Sequence, residues 1–156
     1  MKRIAIIIAI IITAMTSAEA QNIRLGEKIP DISVVSELGS ELKLGKKEHV
    51  CMIFVHSQSE PCVIALTEME DIRDTLIENF DVVLITSEQS DSEAEIMERL
   101  NTKGMTIAYD NDRQTFKSFG INYVPFAVIF DKRRCRVQWF GPIRHLDNES
   151  ILRITK

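Results

Sequence analysis

The sequence predicts an α/β fold in which a central mixed β-sheet is flanked by helices. Continuous apolar runs at 50–55, 81–86 and 125–130 have the length and composition of buried strands. Between the first two runs, apolar residues from Ile64 to Ile77 return at helical spacing. Strands and helices that alternate in this way are typical of βαβ units.

The first 20 residues have the pattern of a secretory signal peptide. A basic start and an apolar run over 4–12 precede the small-residue motif Ala18-Glu19-Ala20. An uncleaved anchor is the weaker alternative, because a spanning helix needs about 20 apolar residues and threonine interrupts this run early. We expect residues 1–20 to direct export across the inner membrane into the periplasm. Residues 21–156 are then expected to form one domain.

The composition excludes several classes of function. The chain carries 19 basic and 23 acidic residues, a net charge of −4, and so lacks the basic surface expected of a nucleic-acid-binding protein. Its three cysteines form no C-x-x-C motif, and its three histidines lack the paired spacing of a zinc site. We therefore expect no metal and no cofactor. An odd number of cysteines leaves at least one free thiol or an intermolecular bond.

The N-terminal half begins with two short strands before the first buried run. Residues 32–35 and 41–44 are expected to be strands around a turn at Glu37-Leu38-Gly39-Ser40. The strand at 50–55 follows, and its unbroken apolar composition predicts burial on both faces.

The helix after this strand has clear start signals. Ser59 is a good N-cap, and Pro61 lies in the first turn, where its missing N–H costs nothing. The apolar periodicity extends the helix to Ile77. Cys62 is thus predicted within the first helical turn.

A second βαβ unit is predicted next. The strand at 81–86 leads to a helix opened by Ser90, with Glu93 completing a capping box, and closed by Gly104. A short strand at 106–109 completes the unit.

The last third contains a helix, a hairpin and a final helix. Asn111 is expected to cap the first helix, which Gly120 ends. The strand that begins at Pro125 pairs with 136–140 as a hairpin. Asp147 or Asn148 can cap the last helix.

The candidate chemistry is concentrated at Gln58-Ser59-Glu60-Pro61-Cys62. A thiol near a helix N-terminus is favoured as thiolate by the backbone dipole, and thiolate is the reactive form. The Glu60 carboxylate opposes ionisation, and no basic residue lies between Gln58 and Asp71. Ser59 would need a general base to act as a nucleophile, and His56 is the nearby imidazole. No acid partner is visible, so Ser59 is interpreted more simply as a helix cap.

Four motifs occur in an order that is informative. They are Gly26-Glu27-Lys28-Ile29-Pro30-Asp31, Ser59-Glu60-Pro61-Cys62, Phe119-Gly120-Ile121-Asn122-Tyr123-Val124-Pro125, and Phe130-Asp131-Lys132 with Phe140-Gly141-Pro142. This order resembles the TlpA-like and AhpC/TSA-type redoxins of the thioredoxin superfamily, over nearly all of residues 21–156.

The resemblance implies a thioredoxin-like fold and thiol–disulfide exchange with protein or peptide partners at Cys62. Pro125 would be the family's cis-proline, and the backbone of Val124 would bind an extended peptide. Ser59 stands where the family carries its attacking cysteine. The expected activity is therefore that of an atypical monothiol oxidoreductase, with Cys62 and Ser59 as its catalytic residues.

Two alternatives remain open. A redox-inactive module that keeps the peptide groove agrees with the missing cysteine and the lack of positive charge. Ser59-x-x-Cys62 also resembles the Thr/Ser-x-x-Cys of peroxiredoxins, in which a thiolate attacks peroxide. Against that alternative, Val55 stands where those enzymes carry a proline, and no arginine can be matched to theirs.

A structural disulfide between Cys51 and Cys135 is a separate hypothesis. In the fold that the chain resembles, the strand at 50–55 is antiparallel to the strand at 126–130, which would bring Cys51 near the following hairpin. A bridge requires a Cα separation of about 4.4 to 6.8 Å. The alternatives are a buried Cys51 with an independent, exposed Cys135, or an intermolecular bond through Cys135.

Overall fold

The computed structural model describes residues 22–36 and 39–156, so the expected signal peptide and the residues Glu37 and Leu38 of the expected turn lie outside it. The described residues form a five-stranded mixed sheet flanked by helices, as the sequence predicted. The strands are β1 (His49–Val55), β2 (Phe80–Thr86), β3 (Thr106–Tyr109), β4 (Phe126–Asp131) and β5 (Arg136–Pro142). The helices are α1 (Glu60–Glu68), α2 (Glu70–Asn79), α3 (Glu93–Arg99), α4 (Gln114–Phe119) and α5 (Asn148–Ile154).

The strand order is β3-β2-β1-β4-β5. β1 is parallel to β2, and β2 is parallel to β3, because helices connect these strands. β1 is antiparallel to β4, and β4 to β5, which forms the predicted hairpin. Among the described residues, no helix has the length and apolar character needed to cross a membrane.

The central strand β1 separates two hydrophobic clusters. Its residues from 50 to 55 are all at most 2% exposed, as the continuous apolar run predicts. Alternate side chains point to opposite faces, so Cys51 packs in the cluster that contains α1 and α5, whereas Phe54 packs against α4. Both faces of β1 are therefore covered.

The long helix predicted after β1 is divided at Met69. The backbone of Met69 leaves helical geometry (φ −75°, ψ 7°), so α1 ends at Glu68 and α2 begins at Glu70. The buried Arg73 donates a hydrogen bond of 2.8 Å from its guanidinium to the carbonyl of Leu66. This contact satisfies a carbonyl group near the end of α1 that an unbroken helix would have bonded internally.

The predicted capping box of Ser90 and Glu93 does not form. Residues Ser90–Ser92 form a 3₁₀ turn, α3 begins at Glu93 without a side-chain cap, and the helix ends at Arg99 rather than near Gly104. The Glu93 carboxylate instead accepts a hydrogen bond of 2.9 Å from the hydroxyl of Tyr109. Glu93 therefore bonds Tyr109 on β3 instead of completing a capping box with Ser90.

The cap predicted for α4 is also replaced. The carboxylate of Asp110, and not Asn111, accepts a hydrogen bond of 2.8 Å from the N–H of Phe116. Gly120 ends the helix with a φ of +65°, as expected of a glycine in that position. For α5, Asp147 is the cap, since its side chain accepts a hydrogen bond of 2.7 Å from the N–H of Ser150.

The first two predicted strands are reduced to isolated bridges. Val35 pairs with Glu41 at one point and with Tyr109 of β3 at another. The N–H of Val35 donates to the Tyr109 carbonyl at 3.0 Å, and the Tyr109 N–H donates back at 2.8 Å. The edge of β3 thus pairs with one residue of this segment rather than with a strand.

The hypothesis of a Cys51–Cys135 disulfide is not supported, because both cysteines are free thiols. Cys51 lies on β1, and Cys135 immediately precedes β5, with β4 between these strands. Two inter-strand spacings amount to about 9.5 Å, more than the Cα separation that a disulfide allows. Adjacent strands would be needed for the bridge.

We expect the Cys51 thiol to make stability fall at alkaline pH. Complete burial raises the pKa of Cys51 to about 12, whereas the unfolded chain releases this proton near pH 8.5. The part of the free energy of unfolding that comes from the Cys51 thiol is thus fully present below about pH 8.5. It decreases above that pH, by about 2 kcal/mol at pH 10. Urea unfolding followed by tryptophan fluorescence from pH 7.5 to 10, in a phosphine reductant, measures the slope.

The Cys51→Ala variant should lose this part of the pH dependence. Cys135→Ala is the matched control, because Cys135 is only half-buried and should leave the slope unchanged. Identical pH profiles for the wild type and Cys51→Ala would contradict the prediction.

Candidate functional site

The candidate site lies where three elements meet at the end of β1. The loop from His56 to Ser59 follows β1 and leads into α1. Because β4 is antiparallel to β1, its first residue, Phe126, pairs with Phe54 near the end of β1. The preceding bond, between Val124 and Pro125, is cis, as predicted. The sheet register thus places Pro125 beside the loop and the start of α1.

Cys62 lies in the first turn of α1, as predicted, but its side chain is completely buried. Its N–H donates to the Ser59 carbonyl at 3.0 Å. Burial raises the pKa of the Cys62 thiol, and the negative charge of Glu88 raises it further. Hydrogen bonds from the Ser59 hydroxyl and the His56 backbone lower it, without offsetting the burial. The sulfur is therefore held mainly as a thiol.

Ser59 occupies the N-cap position of α1, but its side chain makes no capping hydrogen bond. Its backbone is extended (φ −84°, ψ 111°), as the first position before a helix requires. The hydroxyl instead interacts with the sulfur of Cys62. The expected helix cap is thus a partner of the thiol.

Glu88 is the principal residue of the site that the sequence motifs do not single out, because it lies outside them, two residues after β2. Its carboxylate accepts hydrogen bonds from the N–H of Ser57 at 2.9 Å and from the hydroxyls of Ser57 at 2.5 Å and Thr86 at 2.7 Å. Partial burial works to raise the pKa of Glu88, but these hydrogen bonds and the nearby His56 lower it overall. The carboxylate is therefore ionised at neutral pH.

His56 does not form the nucleophile–base pair that a hydrolase would need. Its Nδ1 accepts a hydrogen bond of 3.2 Å from the N–H of Gln58. The same Nδ1 is 3.8 Å from the Glu88 carboxylate, a distance at which an ion pair requires a protonated ring. Neither contact is directed at the Ser59 hydroxyl, which argues against serine hydrolysis.

Helix α3 anchors the loop from outside. The Nε of Arg99 donates a hydrogen bond of 2.9 Å to the carbonyl of Ser57, and the side chain of Gln58 donates to the carboxylate of Glu95. Arg99 is a basic residue near the loop that sequence proximity did not reveal. Its guanidinium contacts the backbone of Ser57, and the influences on the Cys62 pKa named above do not include it.

An apolar groove of about 420 Å³ lies beside Pro125. Its lining includes Pro61, Ile64, Tyr123, Val124, Pro125 and Ile143. Ile64 is 48% exposed and Tyr123 is 50% exposed, so the groove presents apolar surface to solvent. The backbone of Val124 makes no hydrogen bond within the described part of the chain. We refer to this surface as the apolar groove.

The predicted site residues therefore form one group and two outliers. Cys62, Ser59, Val124 and Pro125 lie around the start of α1. Cys51 and Cys135 lie elsewhere, the former in the core and the latter in the β4–β5 turn. Within residues 22–36 and 39–156, no group of three or more His, Cys, Asp or Glu side chains could hold a metal ion.

Solved structures similar to this chain include three from different organisms. A peroxiredoxin-like protein from Aquifex aeolicus is 17% identical, with a TM-score of 0.63 over 85% of this chain and 86% of its own. A protein assigned as the thiol:disulfide interchange protein DsbE, from Chlorobium tepidum, is 18% identical, with a TM-score of 0.68 over 86% and 99%. A thioredoxin-like protein from Aeropyrum pernix is 13% identical, with a TM-score of 0.61 over 79% and 86%.

No protein-family model and no curated protein matches the chain. At identities below 20%, similarity to solved structures establishes the fold and leaves the activity to the site itself. The mixed five-stranded sheet flanked by helices agrees with that similarity. The chain has a thioredoxin-like fold.

Proposed function

We propose that this protein binds extended segments of partner proteins in the apolar groove beside Pro125, and that Cys62 serves there as a buried thiol rather than as a ready nucleophile. The observation that carries the proposal is the contrast between the two parts of the site. Cys62 is 0% exposed, whereas Ile64 and Tyr123 in the groove are each about half exposed. The surface proposed to bind partners is accessible to solvent, and the sulfur of Cys62 is not.

The groove has the features that an extended peptide requires. Val124 offers a backbone N–H and C=O without partners among the described residues, so it can pair with the main chain of a peptide. Ile64 and Tyr123 offer apolar surface to one or two of its side chains. Main-chain pairing supplies affinity that depends little on sequence, and the apolar contacts add preference.

The electrostatics around Cys62 disfavour redox catalysis. A reactive cysteine needs a stabilised thiolate, usually beside a positive charge. Here burial and the Glu88 carboxylate both raise the pKa of the thiol. A partner disulfide would also have to reach a sulfur that no solvent touches.

Monothiol exchange through Cys62 is the second candidate. The Ser59 hydroxyl and the His56 backbone both lower the pKa of Cys62, so the site retains groups that would stabilise a thiolate. In that reaction the Cys62 thiolate attacks one sulfur of a partner disulfide, and the other sulfur leaves as a thiolate. The similar structure assigned as a thiol:disulfide interchange protein is consistent with this candidate.

Peroxide reduction is the weakest of the three. The Ser59 hydroxyl does interact with Cys62, as the peroxiredoxin resemblance requires. However, the nearby charge that acts on the sulfur is the carboxylate of Glu88, which opposes the thiolate that would attack peroxide.

We also propose that the protein acts outside the cytoplasm. Residues 1–20 have the order of a secretory signal peptide, and residues 21–156 would then form the exported thioredoxin-like domain. Partner segments would be met in the periplasm. Mass measurement of the protein from a periplasmic fraction would locate the cleavage.

Replacement of Ile64 tests the groove directly. The probe is a capped peptide, Gly-Leu-Val-Leu-Gly-Gln-Gln-Gln, with a neutral coumarin label, and binding is followed by fluorescence anisotropy. We expect Ile64→Ser to weaken binding about fivefold, because roughly half of an isoleucine side chain would lose its contact. Leu152→Ser is the matched control, since Leu152 is also 50% exposed but lies on α5, outside the groove.

Cys62→Ala should leave peptide affinity unchanged, because the sulfur is not on the surface of the groove. Equal affinities for the wild type and Ile64→Ser would contradict the proposed binding surface.

The alkylation rate of Cys62 measures whether the sulfur is ready to react. We expect the rate to rise with a midpoint above pH 8.5, because the raised pKa keeps the thiolate scarce at neutral pH. Iodoacetamide labelling with peptide mass mapping follows the residue, and half-buried Cys135 in the same chain is the reference. A midpoint well below 8.5 would favour monothiol exchange instead.

Glu88→Gln should move this midpoint to lower pH, because it removes the negative charge that raises the pKa of Cys62. Glu149→Gln, an exposed carboxylate on α5, is the control for a change in net charge.

Ser59→Cys tests whether the scaffold can still hold a dithiol. The Ser59 side chain already interacts with the Cys62 sulfur, so we expect the introduced thiol to form a disulfide with Cys62 on mild oxidation. Mass spectrometry would detect the loss of two hydrogens. Ser90→Cys, on the exposed turn before α3, should remain reduced at the same oxidant concentration. Gain of insulin reduction by Ser59→Cys would support the exchange candidate.

A further inference from the structure

A second groove adjoins the Tyr123–Val124 segment. Its larger part, about 690 Å³, is lined by residues of α4 and the following loop together with Asn22. Its smaller part, about 100 Å³, extends towards His56 at the end of β1. The two parts are adjacent, since both are lined by Arg113, Phe116, Ile121 and Asn122, and together we call them the basic groove.

The charged side chains that line the basic groove are both cations. Arg113 and Lys117 are exposed, and neither forms a salt bridge with a described residue. No acidic side chain lines either part of the groove among the described residues. This is notable in a chain whose net charge is −4.

Local contacts hold one of these cations in place. The guanidinium of Arg113 lies 5.2 Å from the ring centroid of Phe116, a cation–π contact that orients it along the groove wall. The nearby carboxylate of Asp110 is only 1% exposed, and one of its oxygens accepts a hydrogen bond from the N–H of Phe116. Asp112 is exposed but lies outside the lining.

The two grooves meet at Tyr123 and Val124, which line the apolar groove and the smaller part of the basic groove alike. An extended segment that crosses Val124 can therefore reach both the apolar groove, whose mainly apolar lining also includes Glu68 and Arg144, and the basic groove. Opposite charges favour association and register, and the effect is strongest at low salt.

We propose that the basic groove selects extended partner segments in which acidic residues adjoin an apolar stretch. The apolar side chains occupy the groove at Ile64 and Tyr123, and the carboxylates of the segment lie beside Arg113 and Lys117. This specificity rests on the proposed binding function and adds to it the chemical class of the partner.

The test compares two capped, coumarin-labelled peptides with the purified protein. One is the neutral peptide used above, and the other is Gly-Leu-Val-Leu-Gly-Glu-Glu-Glu; each is also made with the polar residues first, so that both chain directions are sampled. In about 50 mM salt we expect the acidic peptide to bind about fivefold more tightly, and the difference to disappear at about 500 mM.

The double variant Arg113→Gln/Lys117→Gln should bind the acidic peptide no more tightly than the neutral peptide. Lys46→Gln/Arg133→Gln removes the same charge from exposed positions at the other end of the sheet and should keep the preference. Lys117→Gln alone, which does not alter the residue at the start of α4, should reduce the preference by about half on a logarithmic scale.

The possible results distinguish failure of the acidic preference from failure of the binding function. Equal affinity of the wild type for both peptides, with clear binding of each, overturns the acidic preference and leaves the binding function intact. Equal loss of preference in the groove variant and the control variant also overturns the acidic preference of the groove. The net charge of the protein, and not the groove, would then be responsible. Binding of neither peptide, in either direction, overturns the binding function and the preference together.

Discussion

The burial of β1 on both faces is the constraint on which the site depends. Residues 50–55 contribute to both hydrophobic clusters, so the register of β1 with β2 and β4 cannot slip without exposing apolar side chains. That register brings the ends of β1 and β2 together and places Pro125 beside the start of α1. The site is thus a consequence of how one strand is packed.

Glu88 turns this juxtaposition into a specific electrostatic environment. Its carboxylate joins the loop after β1, through Ser57, to the end of β2, through Thr86. These hydrogen bonds stabilise the charge on Glu88 and hold the loop that carries Ser59. The same charge raises the pKa of Cys62. One interaction therefore orders the site and makes its sulfur less reactive.

The exposed surfaces of the site are separate from its buried sulfur. The Tyr123–Val124 segment divides an apolar surface from a basic one, and both surfaces are open. The Cys62 thiol is not accessible to solvent. This division is compatible with the proposed binding function, which rests on the site and not on the fold.

The sequence by itself determined the five strands of the sheet, their order along the chain and the position of Cys62, because apolar runs and the start signals of α1 are local properties. It failed where a group further along the chain replaced a local one, as where the hydroxyl of Tyr109 on β3 bonds the Glu93 carboxylate. The contact of Glu88 with Ser57 spans 31 residues. Only the tertiary structure could decide such contacts, because they depend on the distance between strands and not on spacing along the chain.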